Sequence, residues 1–183
     1  MFIKIKDLEL RKIVFDESFA PGVIELGPEI EQKEPVKAAG QAELISENRG
    51  SREVVEDIRV KGRFSTRLET HCARCLEPVQ HSVAESFDAL YRPQGVDAHG
   101  DEAAISRAET EIGYYQGEGL LLEDVLKEQI LLALPVKQVC REDCKGLCPH
   151  CGSNLNVESC QCVNTMADPR WADLEDIRRK LQR

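Results

Sequence analysis

This sequence has no long apolar run, few aromatic residues and none of the short motifs that mark a common active site. Its longest apolar stretch, Ile130 to Leu134, is far short of the ~20 residues that cross a bilayer, so no membrane segment is expected. The opening residues Met1-Phe-Ile-Lys-Ile-Lys-Asp7 alternate apolar and polar. They lack the apolar stretch of an export signal, which points to a cytosolic protein. Aromatics make up only 5% of the chain, which argues against a base-stacking platform for RNA. No glycine-rich phosphate loop, Gly-x-Ser-x-Gly elbow or His-Glu-x-x-His helix occurs. His81 and His99 fall in a strand pattern and a polar loop, and the acidic residues are scattered. No catalytic residue is assigned, and a non-enzyme is expected. Lys and Arg number 24 against 33 Asp and Glu, a formal net charge of −9. That balance disfavours a sequence-blind coat on nucleic acid, which needs cations to neutralise phosphates.

What is present is a globular composition over 183 residues, 42% apolar and 31% charged, enough for one cored domain with at most a small appendage. Eight cysteines stand out. Cys72 and Cys75 form one C-x2-C pair, and the other six lie between Cys140 and Cys162. In a reducing compartment such thiols read as metal ligands before disulfides.

The strongest periodicity is from Ile58 to Leu68, where Ile58, Val60, Gly62, Phe64, Thr66 and Leu68 share one face. Arg59, Lys61, Arg63, Ser65, Arg67 and Glu69 share the other, the two-residue period of a half-buried strand. A second alternating run carries Val79, His81, Val83, Phe87, Ala89 and Tyr91, interrupted at Glu85. Between the two lies Cys72-Ala-Arg-Cys-Leu-Glu-Pro78. The pattern predicts a long antiparallel hairpin with a cysteine knuckle at its tip. Weaker strand candidates are Phe2–Leu8, Ile24–Leu26, Ala38–Ile45 and Glu111–Tyr115. Arg92–Ala108 reads as an exposed loop.

The period then changes. Leu122, Leu126 and Ile130, with Leu121, Val125 and Leu132, predict an amphipathic core helix over residues 119–134, stopped by Pro135. Asp168-Pro169 reads as a helix start, with Trp171, Leu174, Ile177 and Leu181 as the apolar side of a short terminal helix. The expected fold class is α+β: an antiparallel, strand-rich sheet or partly closed barrel with one packed core helix, a cysteine-rich zinc module and a short C-terminal helix. The expected division is residues 1–136 and residues 137–183, packed on one another.

Cys148-Pro-His-Cys151-Gly152 has the form of a zinc knuckle, in which the glycine tolerates a left-handed backbone. Cys160 and Cys162 would complete a closed four-thiolate site of structural type. Cys72, Cys75, Cys140 and Cys144 form the second candidate set, clamping the hairpin tip to the segment after the helix. A competing assignment places Cys140, Cys144, Cys148 and Cys151 on one ion. His71 and His150 are alternative donors, and thiolate sets also hold iron–sulfur clusters.

Together, Cys140-Arg-Glu-Asp-Cys-Lys-Gly-Leu-Cys-Pro-His-Cys-Gly-Ser-Asn-Leu-Asn156, His71-Cys-Ala-Arg-Cys-Leu-Glu-Pro78, Ile130-Leu-Leu-Ala-Leu-Pro135 and Asp168-Pro-Arg-Trp-Ala-Asp-Leu174 resemble the YceD family. These are the large ribosomal RNA subunit accumulation proteins of bacteria and chloroplasts. The resemblance implies a non-enzymatic role in accumulation, processing or assembly of large-subunit ribosomal RNA, and all eight cysteines map onto family positions.

Two partner classes follow. Arg59, Lys61, Arg63 and Arg67 share one strand face, where alternate residues lie ~6.6 Å apart, and could track phosphates, with Arg74, Lys137, Arg141 and Lys145 extending the patch. The bland alternative pairs these cations with carboxylates on neighbouring strands. Alternatively, the acidic surface captures a basic ribosomal protein without direct RNA contact. Residues 137–183 hold eight Lys or Arg against seven Asp or Glu, and the first 136 residues hold 16 against 26. An acidic total therefore confines any RNA contact to a local patch. A thiol-redox or zinc-responsive factor is the third class.

Overall fold

The computed structural model describes residues 1–48, 54–96, 112–162 and 177. Its centre is the predicted hairpin. β5 runs Val54–His71 and β6 runs Pro78–Pro93, paired antiparallel from Ile58↔Tyr91 to His71↔Pro78. Along β5 the apolar alternation is realised as burial: Ile58, Val60, Phe64, Thr66 and Leu68 are buried.

β4 (Val36–Asn48) lies antiparallel on the other edge of β5, and β2 (Ile13–Phe19) lies antiparallel on β4. The two-residue β3 (Glu31–Gln32) pairs the last part of that same β5 edge. β7 (Ile112–Tyr115) closes the order β2-β4-β5-β6-β7. The expectation of an antiparallel sheet or partly closed barrel is corrected in two respects. β7 pairs parallel to β6, and the sheet is open, since β2 and β7 lie at opposite ends of the order and do not pair.

One rung fixes the close approach of four strands. Phe15 faces Gly40, Gly40 faces Gly62 and Gly62 faces Phe87. A Cβ at Gly40 would lie 2.2 Å from the Lys61 carbonyl oxygen and 2.7 Å from the Phe15 ring. The glycines let the two phenylalanines cover the middle of the rung from both sides, which is where a strand glycine belongs.

A second, two-stranded sheet pairs β1 (Phe2–Lys4) with β8 (Gly119–Leu121). The predicted strand Phe2–Leu8 therefore stops at Lys4, and α1 occupies Ile5–Leu10. α2 runs Leu122–Ala133, so the predicted helix over 119–134 loses its first turn to β8. The run Leu120-Leu-Leu122 is apolar throughout, and pairing with Phe2 and Ile3 holds its first two residues extended. Leu122, Val125, Leu126 and Ile130 are the buried stripe of α2 and join the core with Ile3, Phe15, Val36, Ile58, Val60, Phe64 and Leu68. Tyr91 donates its hydroxyl proton to Glu128 Oε2 at 2.9 Å, tying β6 to the helix. Ile24 and Leu26 are buried in the core without forming a strand. Of the predicted loop Arg92–Ala108, Arg92 and Pro93 end β6 and residues 97–108 lie outside the described residues. The predicted terminal helix also lies outside them, except Ile177, which is helical.

A buried ion pair joins β5 to β6. Arg92 Nη2 lies 2.9 Å from Asp57 Oδ2 and Arg92 Nε donates to Oδ1 at 3.1 Å, both side chains under 5% exposed. The two-pronged geometry gives the pair its strength in a water-poor setting.

Candidate metal centres and cationic sheet face

The eight thiols fall into two groups: Cys72, Cys75, Cys140 and Cys144, and Cys148, Cys151, Cys160 and Cys162. In each, the four sulfurs lie within 4.8 Å of one another, so either group could hold a metal ion. Cys75 Sγ and Cys140 Sγ are 3.6 Å apart, and Cys72 Sγ and Cys144 Sγ 3.9 Å. A disulfide needs ~2.05 Å, whereas four sulfurs at ~2.3 Å from one tetrahedral ion are ~3.8 Å apart. The spacing suits an ion. Cys140 and Cys144 thus sit with the hairpin tip rather than with Cys148 and Cys151, and neither His71 nor His150 joins a group.

Each group is built on a knuckle. Cys72 N–H donates to the Glu77 carbonyl at 2.8 Å and Leu76 N–H to the Cys72 carbonyl at 2.9 Å. Cys148 N–H donates to the Ser153 carbonyl at 2.8 Å and Gly152 N–H to the Cys148 carbonyl at 2.9 Å. The two turns are the same turn. The first group draws its other two ligands from beyond α2: Ala73 N–H donates to the Gln138 carbonyl at 2.8 Å and Leu147 N–H to the Arg74 carbonyl at 3.0 Å. Arg74 folds back over this junction, its Nη1 donating to the carbonyls of Glu142 and Cys144. Arg141 lies near Asp143 and donates to Asn156 Oδ1. Both arginines are therefore committed to the cysteine segment.

Crowding sets the electrostatics. Burial raises the Cys72 thiol, but backbone N–H groups of Cys75, Arg74 and Cys140 outweigh it and bring the thiol down to about 6. Burial and the neighbouring sulfurs of Cys75, Cys144 and Cys72 push Cys140 up to about 12. In the second group Ser153 draws Cys151 down to about 6, and Cys151 in turn helps push Cys162 up to about 12. Within each group two thiols are drawn down (Cys72 and Cys144, Cys148 and Cys151) and the other two pushed up, a conflict that a bound cation would remove. Burial opposes ionisation of Cys144, but the Asn156 amide first, then the Gly146 N–H and the sulfurs of Cys75 and Cys140, outweigh it and hold this thiol below its usual range. Sequence reading missed Asn156, which carries no periodic or spacing signal of its own.

The cationic row lies on the exposed face of β5, and most of it is paired. Arg59 grips Asp88 with two hydrogen bonds of 2.8 and 2.7 Å. Lys61 lies 3.2 Å from the same carboxylate and Arg67 3.0 Å from Glu34. Arg63 alone of the four has no ion pair among the described residues. It lines a shallow depression with the small side chains of Ala39, Ser65, Ala84 and Ser86, together with Lys37 and the carboxylates of Asp16 and Glu85.

The profile of the family described as Large ribosomal RNA subunit accumulation protein YceD matches residues 60–178, and the chain belongs to that family. An uncharacterised protein of Mycobacterium tuberculosis is 33% identical over 141 residues, covering 76% of this chain and 65% of the relative. A Mycobacterium leprae protein is 30% identical over 68% of this chain. The chloroplastic YCED homolog 1 of Zea mays, named for large ribosomal RNA subunit accumulation, is 26% identical over 57% of this chain and 44% of its own length. The chain spans under two thirds of the length of these relatives. No solved structure matches it.

Proposed function

We propose that this protein is a non-enzymatic ribosome-biogenesis factor that supports accumulation, processing or assembly of large-subunit ribosomal RNA, with two structural zinc ions. Zinc suits both donor sets: four thiolates gathered within 4.8 Å of one another satisfy a borderline-soft dication. When bound, the ion supplies structure and not chemistry, because four cysteines leave no open position for a substrate. The eight free thiols suit a reducing compartment, and the cytosol is the proposed site of action. No helix among the described residues is long and apolar enough to cross a membrane.

The observation that carries the RNA reading is the exposed β5 row of Arg59, Lys61, Arg63 and Arg67, three of whose members lie in the part of the sheet matched by the family profile. Without aromatics on that face, contact is with the phosphate backbone and sensitive to salt. The test is binding to large-subunit RNA fragments across a salt series. Replacing all four cations with Glu abolishes binding. Arg63→Ala, which breaks no ion pair, weakens it and flattens the slope of log affinity against log salt by about 0.7–0.9. Unchanged affinity and slope in a folded Arg63→Ala protein would refute RNA contact through this face.

A further inference from the structure

The two cysteine groups are physically continuous. Cys151 and Cys160 bound the segment 152–159, and that segment returns to the first group. Leu155 N–H donates to the Gly146 carbonyl at 2.9 Å, and Leu147 bridges Asn154. Asn154 Nδ2 reaches Glu77 Oε1 of the first knuckle at 3.2 Å. At the centre stands Asn156. Its Nδ2 donates to Cys144 Sγ at 3.3 Å and to Asn154 Oδ1 at 2.9 Å, while its Oδ1 accepts from Lys145 N–H and Arg141 Nη2, each at 2.8 Å. The amide is fixed from every side and oriented by its neighbours.

We infer that Asn156 is a positioning residue that couples the two metal sites: an ion in the second group orders the segment 152–159, which delivers an N–H donor to Cys144 and tightens the first group. An N–H aimed at a ligand sulfur stabilises the thiolate and fixes its direction, and such outer partners alter metal affinity by about 10–100-fold. Coupling of binding free energies is reciprocal, so an ion in the first group tightens the second by the same factor. The inference rests on the zinc reading above.

Alkylation with N-ethylmaleimide over a series of buffered free zinc concentrations reads both groups at once, because mass spectrometry assigns the label to each cysteine. Asn156→Leu removes the donor. Asn156→Asp removes it too, with the Nδ2 bond to Asn154, but keeps the acceptor for Lys145 and Arg141; Asn154→Ala breaks the loop's own bond and leaves the Cys144 donor, so it shifts the first group little if the donor is what matters. In both Asn156 variants the zinc concentration that half-protects Cys72, Cys75, Cys140 and Cys144 rises about 10–100-fold, with two zinc ions per chain still bound at saturation. Cys160→Ser with Cys162→Ser raises it comparably, and adding Asn156→Leu to that pair raises it little further. Unchanged protection of the first group in both Asn156 variants, or in the Cys160/Cys162 double variant, would overturn the coupling and leave the zinc reading standing. Absence of zinc protection in the unmodified chain would overturn both.

Discussion

Leu76 and Gly152 hold the same left-handed backbone at the same step of two cysteine knuckles, with φ of 61° and 76°. Each directly follows the second cysteine of a C-x2-C pair. Gly152 adopts this conformation without steric cost, whereas Leu76 does so against its Cβ. The Leu76 side chain is 61% exposed, so little packing offsets that strain. Nothing lies within 4 Å of a Cβ at Gly152. Gly152→Leu therefore costs about 1–2 kcal/mol, from backbone conformation alone. Thermal unfolding at fixed free zinc reads this as a fall of about 2–4 °C per kcal/mol. Leu76→Gly stabilises by no more than ~1 kcal/mol, since glycine also loses more chain entropy on folding.

Metal removal is the second prediction. Elemental analysis of protein purified without chelator gives two zinc ions per chain. Ser at Cys72 and Cys75 leaves one, and so does Ser at Cys148 and Cys151. Emptying the first group has the larger effect on stability, because Cys72 and Cys75 lie on the hairpin while Cys140 and Cys144 follow α2. An ion there would close a long loop.

On the proposed RNA reading, Asp88 would compete with phosphate for Arg59 and Lys61. Its carboxyl is held below the usual carboxylate range, chiefly by the Arg59 hydrogen bond, so it stays ionised at neutral pH. Asp88→Ala releases both cations and raises RNA affinity several-fold at low salt, a gain lost at high salt. An exposed ion pair contributes ~0–1 kcal/mol, so the melting temperature hardly moves. Filter binding at two salt concentrations, beside a melt, separates the effects.

Arg92→Leu leaves Asp57 buried and uncompensated. The expected loss is about 3–5 kcal/mol, read as a lower denaturant midpoint. Replacing both residues with apolar ones recovers most of it, whereas an additive loss would show that the pair is not the unit.

The hairpin and the helix stripe were legible because alternation and the 3.6-residue period report burial directly. β2 was missed although Ile13, Phe15 and Phe19 alternate, since Asp16-Glu17-Ser18 interrupts the apolar signal. The parallel pairing of β7 leaves no trace in the pattern, because periodicity reports which face is buried and not which strand lies alongside. The cationic row was legible as a row, but its partners were not. Asp88 and Glu34 meet it only through strand register and the loop before β4. Asn156 reaches Cys144 through the return of the segment 152–159, a tertiary contact that spacing does not encode.

The most direct test of the proposed function is ultraviolet crosslinking in cells, with the attached RNA sequenced and the crosslinked peptides identified. The expected result is large-subunit ribosomal RNA joined to peptides from the β5 stretch Arg59–Arg67, lost when the four cations become Glu. Ribosomal RNA at background, or crosslinks that persist unchanged in that variant, would contradict it.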